Sequence, residues 1–219
     1  MTEPPRTARG ARTRASLLEA AEHVFAELGY ADTSVVRITE RAGVAQGTFY
    51  LYFDSKLDLF DELVDDLNRR VRHAMSEASA AAPDRLSAER AGFRAFFAFT
   101  AEHPALYRII RAAEFVSPRA LHRHYDRIVE GYAEGLAEAQ RAGEVRPDLD
   151  PDVAAWALMG IGELVGMRWV LWERGTESSA EGDAGGGVPD HVLDQVSLLV
   201  DGAIGRRTPS VTRSEENGA

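Results

Sequence analysis

Residues 33–56 read Thr-Ser-Val-Val-Arg-Ile-Thr-Glu-Arg-Ala-Gly-Val-Ala-Gln-Gly-Thr-Phe-Tyr-Leu-Tyr-Phe-Asp-Ser-Lys, two short helical patterns hinged at one glycine. Ser34 is a polar cap, and Val35, Ile38 and Ala42 follow at spacings of three and four, so one apolar stripe packs inward. Gly43 closes the corner, because a residue tolerant of positive φ makes so tight a turn at least cost, and Val44 plugs the wedge between the helices. The second pattern offers Ala45, Gln46, Gly47, Thr48, Tyr50 and Tyr52, small, amide, hydroxyl and phenol side chains that suit base edges and phosphates. Phe49 and Phe53 anchor its back. This is the pattern of a DNA-reading helix-turn-helix.

Helical punctuation continues along the chain, and strand signals are nearly absent. Helices are expected at about 12–28, 34–42, 46–52, 56–81, 84–102, 104–115, 118–141, 151–174 and 190–204. Pro83, Pro104, Pro118, Pro151 and Pro189 stand at or near helix starts, where a missing amide proton costs least. The expected fold class is therefore all-α. A three-helix DNA-binding domain comes first and a larger helical bundle follows, about nine helices in total. The expected divisions are a flexible basic arm at 1–11, the helix-turn-helix domain at 12–55, the bundle at 56–205 and a disordered tail at 206–219. A stretch rich in Gly, Ser and Glu at 175–187 reads as a mobile loop. Arg6, Arg9, Arg12 and Arg14 either follow a phosphate backbone or enter a minor groove, or they are a solvated tail.

The net charge of −10 at first argues against a nucleic-acid partner, but residues 1–56 hold seven basic and seven acidic side chains, so the whole deficit lies beyond Lys56. A neutral front and an acidic back are consistent with DNA meeting one end only. There is no cysteine, hence no disulfide and no thiolate metal site. Residues 1–14 are charged and contain proline, unlike a signal peptide. The apolar stretch from Val153 to Trp172 is interrupted by Glu163 and Arg168 and reads as a buried or interfacial helix rather than a membrane span. A cytoplasmic protein is expected.

The 33–56 segment resembles the DNA-binding domain of the tetracycline-repressor (TetR) family, in which a Gly-Val-small-x-Gly-Thr-aromatic-Tyr-x-aromatic-Phe run leads into a Ser-Lys pair that opens a long helix. The family-specific likeness covers roughly residues 12–65. It implies recognition contacts at Ala45, Gln46, Gly47, Thr48, Tyr50 and Tyr52, and phosphate contacts at Ser34 and Lys56. A basic residue is frequent in the family where Gln46 stands, so base preference does not carry over. Lys56 is the single lysine beside 24 arginines, and it follows Ser55, an N-cap, so an ammonium and a helix N-terminus converge on one spot.

Phe93, Phe96, Phe97 and Phe99, with Tyr107, Ile109, Ile110 and Phe115, give the bundle an aromatic interior that either closes into solid core or leaves an apolar cavity. The resemblance implies a small effector there, apolar or of acyl-CoA type, held by Phe96, Phe97, Phe99, Tyr107, Ile110, Trp156 and Met159, and a homodimer. Ala154, Ala155, Ala157, Gly160, Gly162 and Gly166 would allow a close helix approach between subunits, and Val192, Val196, Leu199 and Val200 add an apolar face. Arg108, Arg111, Arg119, Arg123 and Arg127 form a positive island with His103, His122 and His124. It is either an entry for an anionic effector or a solvated surface with pairs such as Arg123 with Asp126.

His122 and His124 are two residues apart and point away from each other on a helix, so no metal site is expected. No cofactor is expected either. Gly160-Ile161-Gly162 lacks the strand and spacing of a nucleotide fingerprint. No Glu-x-x-His pair, Gly-x-Ser-x-Gly elbow or Walker loop occurs, so the enzyme reading rests on nothing specific. The function expected is a ligand-responsive transcriptional regulator, a repressor released from a palindromic operator. The alternatives are an architectural DNA-binding protein without effector and, last, a helical-bundle enzyme.

Overall fold

The computed structural model describes residues 7–172 and 187–206. The described chain is α-helical throughout: α1 (Ala8–Asp32), α2 (Val35–Ala42), α3 (Gln46–Phe49), α4 (Lys56–Ser79), α5 (Arg85–Glu102), α6 (Ala105–Val116), α7 (Pro118–Arg141), α8 (Pro151–Gly166), a π-helical turn (Met167–Trp172) and α9 (Asp190–Ile204). The expected loop at 175–187 and tail at 206–219 lie outside the described residues except for Gly187 and Arg206, as does Arg6.

Local chemistry accounts for most of the boundaries. Thr7 Oγ1 accepts from Gly10 N at 3.1 Å, so α1 starts at Ala8 rather than near Arg12 and takes in Arg9, Arg12 and Arg14. Gly29 breaks the regular part of α1 at φ 75°. Ser34, Ser55, Asp84 and Asp150 each accept backbone N–H groups at the starts of α2, α4, α5 and α8. Pro118 and Pro151 occupy the first turns of α7 and α8.

Two differences from expectation concern helix ends. α3 is regular only to Phe49. Beyond it, Leu51 N and Tyr52 N bond the carbonyls of Thr48 and Phe49 three residues back, so the turn tightens where a longer helix was expected. α8 gives way at Gly166 to the π-helical turn. A methyl at Gly166 would collide with the Tyr107 hydroxyl, so the missing side chain makes room for the end of that tyrosine.

Two apolar cores form among the described residues. The first runs from Leu17, Val24 and Phe25 through Ile38, Phe49 and Phe53 to Phe60, Leu63 and Leu67 of α4, and on into Phe99, Leu106, Ile109 and Ala113. The second joins α5, α7, α8 and α9 through Phe93, Phe97, Leu136, Leu158, Val170, Val196 and Val200. The reading head is thus packed directly on α6 and on the linker helix α4. Leu57, next to the start of α4, is exposed.

Of the six small residues of α8, four lie inside the chain, whereas Ala157 is exposed and Gly160 is half-buried with open space around it. Ala154, Ala155, Gly162 and Gly166 are buried, and a methyl at Gly162 would touch Phe93 and Phe96. On α9, Val192, Val196 and Val200 face inward, leaving Leu198 and Leu199 outside. The run Pro151–Trp172 is long and apolar enough to cross a membrane by length and composition. Here one side of it packs on α5 and α7 through Ala155, Leu158, Gly162 and Val170.

Candidate nucleic-acid interface and effector cavity

Gly43 sits at φ 68°, ψ 30° and ends α2, with its own N–H on Glu40 O and the Val44 N–H on Thr39 O, which satisfies the last carbonyls of the helix. Ile38 is buried beneath this corner, and Val44 packs on the same core. Phe49 and Phe53 are both 0 % exposed, with rings 5.5 Å apart, so the back of α3 is fixed in the core of the head. The front carries Ala45, Gln46 and Gly47, all exposed, then half-buried Thr48 and Tyr50, which is 54 % exposed. Tyr52 is half-buried. Ser34 lies exposed at the start of α2, its Oγ accepting from Arg37 N at 3.3 Å, so its own proton is free for an acceptor such as phosphate.

Lys56 has a different immediate role. Its Nζ donates to Tyr30 O and Thr33 O, each at 2.7 Å, and stands 4.2 Å from the centroid of the Tyr30 ring. The ammonium therefore ties the end of α1 and the residue after it to the first residue of α4. Only its third N–H remains for a phosphate.

The head is also tied to the body by polar contacts. Arg14 of α1 pairs with Glu62 of α4. Glu22 accepts from Arg70 at 3.0 Å and lies 3.1 Å from His103 Nδ1, while Arg108 of α6 donates to Ala26 O at 2.7 Å.

Between α4, α5, α6, α7 and α8 lies a cavity of about 740 Å³. Of the expected effector contacts, Phe96, Tyr107, Ile110 and Met159 line it. Phe97 packs against Phe93 and Phe96 and points into the second core. The Phe99 ring lies tilted against that of His103, centroids 4.6 Å apart, on the side of the head. Trp156 is 43 % exposed, with its ring 5.8 Å from that of Tyr125. Phe93, expected in the aromatic interior, also lines it, and residues not foreseen as effector contacts include Gly92, Leu106, His124, Tyr125, Ile128, Tyr132, Leu158 and Glu163. Their signal was spacing. Residues 124, 128, 131 and 132 on α7 and 158, 159, 162 and 163 on α8 are each one helical face.

None of the five island arginines reaches this wall. Arg108 binds Ala26 O, Arg111 donates to Met167 Sδ, and Arg123 and Arg127 both pair with Asp65 of α4; Arg123 does not use Asp126. Arg119 is exposed. The basic side chains that do line the cavity are Arg69, Arg72, His73 and Arg85, from α4 and α5. Arg85 is held by Glu89, which also accepts from the Tyr132 hydroxyl. Burial raises the Glu89 carboxyl above its usual range, against the pull of Arg85.

His124 joins the cavity to the linker helix. Asn68 of α4 donates to His124 O at 2.8 Å and approaches His124 Nδ1 at 3.1 Å, both in the interior. Because the amide nitrogen is the donor, Nδ1 accepts and the ring proton sits on Nε2. Burial lowers the imidazole pKa to about 4. With the unfolded value near 6.5, the neutral ring contributes stability that is complete above about pH 6.5 and is lost as pH falls towards 4, at most about 3 kcal/mol. Glu89 has the opposite sign, stabilising as pH falls. Urea unfolding at pH 7, 5.5 and 4.5 should therefore show His124→Gln with a flatter decline than the parent. Parallel declines would mean that His124 is not held neutral.

A short recognition helix fixed on a buried aromatic back, a long linker helix and a bundle with a half-open cavity define a helical, two-part DNA-reading regulator. The family pattern of bacterial regulatory proteins of the tetR family matches residues 17–63. An HTH-type transcriptional regulator of Bacillus subtilis, YdgC, is 32% identical over 159 residues, covering 70% of this chain and 78% of that protein. The fatty acid metabolism regulator protein of the same organism is 29% identical over 163 residues, covering 71% and 82%. Among solved structures, the fatty acid degradation regulator FadR from Bacillus halodurans superposes with a TM-score of 0.72 at 23% identity, covering 85% of this chain and 93% of that one. The chain belongs to the TetR family of helix-turn-helix transcriptional regulators.

Proposed function

We propose that the protein is a homodimeric repressor that reads a palindromic operator through α3 and releases it when a small, largely apolar effector occupies the cavity. The observation that carries this reading is the placement of the cavity. Its walls include α4, whose first residue clamps the head, and α6, whose far side packs on α1. An occupant that spreads these walls bears on both supports of the head, on one side through the Asn68–His124 tie and on the other through Leu106 and Ile110.

A bundle filled to native density would have favoured the architectural reading; 740 Å³ of space supports a sensor. The effector must prefer the released conformation by about 1–3 kcal/mol, since a ligand that binds both states equally shifts nothing. The relative named for fatty acid metabolism places acyl chains among the compounds to test.

The operator is first selected from random duplex DNA, and compounds that raise the melting temperature are then tested for release of it. Met159→Trp, which fills the cavity from α8, should keep operator affinity within about twofold while weakening each active compound at least about tenfold. Release undiminished in this variant would place the effector elsewhere.

A further inference from the structure

The cavity contains a carboxylate with no cationic partner. Glu163 of α8 is half-buried in a wall made largely of Phe93, Phe96, Tyr107, Tyr125 and Leu158. Its two oxygens accept from one donor, the Tyr125 hydroxyl, at 3.2 and 3.1 Å, and no arginine, lysine or histidine among the described residues pairs with it. The other cavity carboxylate differs, since Glu89 is bound by Arg85 at 2.6 Å and by the Tyr132 hydroxyl. Tyr107 of α6 is only 4 % exposed, and its hydroxyl, set against Gly166 of α8 and close to Thr100, makes no hydrogen bond of ordinary geometry.

An unpaired charge and an orphaned hydroxyl in mostly apolar surroundings are each costly. One group satisfies both. A protonated amine donates to the Glu163 carboxylate and to phenol oxygens, and it is also attracted to aromatic faces such as those of Phe96, Tyr107 and Tyr125. A carboxylate ligand would need an interior cation. The basic side chains on the wall are Arg69 and Arg72 with His73, all exposed to solvent where charge counts for little, and Arg85, already bound to Glu89. His124 is neutral, with one ring nitrogen occupied by Asn68.

We propose that the cavity selects a protonated amine on an aromatic or otherwise apolar body, with Glu163 as its counter-ion and the phenols of Tyr107 and Tyr125 completing the cation's shell. This rests on the cavity being the effector site. The same apolar group with three heads separates the possibilities: 4-(naphthalen-1-yl)butylamine, the corresponding butanol and the corresponding butanoate, titrated calorimetrically into the full-length protein at pH 7. The amine should bind at least about tenfold more tightly than either of the others. Glu163→Gln, with the alcohol's own affinity as the check that the cavity is intact, should bring amine and alcohol within about twofold of each other. Tyr107→Phe should weaken the amine more than the alcohol. Tightest binding by the butanoate, equal binding by all three, or an amine preference that survives Glu163→Gln overturns the proposal and leaves the cavity as the effector site. Binding by none of the three overturns the proposal together with that reading.

Discussion

Phe49→Ala should melt the reading head and abolish operator binding, whereas Tyr50→Ala, one residue further on, should leave the melting temperature almost unchanged and fail only on DNA. Phe49 is 0 % exposed, with its ring against Phe53 at 5.5 Å in a core shared with Leu17, Ile38 and Leu59. Removing a phenyl from such a site costs about 3–5 kcal/mol, a large part of the 5–15 kcal/mol that typically holds a domain together. Tyr50 points outward, and its removal should cost less than about 1 kcal/mol of stability but about 1–3 kcal/mol of operator recognition if it reads a base. Circular dichroism melts and fluorescence anisotropy on the selected operator measure the two effects separately. Equal melting temperatures for the two variants, or full affinity and selectivity in Tyr50→Ala, would reverse the assignment of front and back.

The neighbouring residues Phe49 and Tyr50 also show why the head was legible in the sequence. Within a turn of helix, one residue must be core and the next must be surface, and Gly43, Ile38 and Phe53 fix which is which through local spacing alone. Lys56 marks the limit of that reasoning. Cap, position and charge all suggested a phosphate, but the carbonyls of Tyr30 and Thr33 lie more than twenty residues back in the chain, and only the fold brings them to the ammonium. The cavity was half legible for the same reason. Phe96, Tyr107 and Ile110 were identifiable as bulky interior residues, but which bulky residues fill space and which border it depends on how α5, α6 and α8 cross. Gly162 and Gly166 leave room for the rings of Phe96 and Tyr107, a fit that only the folded arrangement shows. The same glycines had suggested a subunit contact because a small-residue face permits close approach without naming the partner. Likewise, the sequence left the basic island open between an anionic entry and a solvated surface, because Asp65, which pairs with Arg123 and Arg127, lies 58 residues away in sequence from Arg123.

Leu164→Glu combined with Leu198→Glu should convert the protein to a monomer and lower affinity for a full operator by about a thousandfold, or roughly 4 kcal/mol. With Gly162 and Gly166 turned inward, the outer surface of α8 presents Val153, Trp156 and Leu164, and the adjacent α9 presents Leu198 and Leu199, all exposed, with Leu164 at 64 % and Leu198 at 65 %. Large apolar side chains gathered on two neighbouring helices are what a helix-packed, two-fold interface would cover. Placing a carboxylate in it from each protomer leaves charges buried without partners and, across the two-fold axis, close to their like. The loss on DNA follows from geometry, since each head reads one half-site and affinity for the palindrome depends on holding two heads together. Because both leucines are exposed within the protomer, the variant should keep its helical content and bind an isolated half-site as the parent does. Sedimentation equilibrium at micromolar concentration and anisotropy on full and half operators measure these quantities. A variant that remains dimeric would move the interface to another face, and a monomer that kept full-operator affinity would show that pairing of the heads is not the source of tight binding.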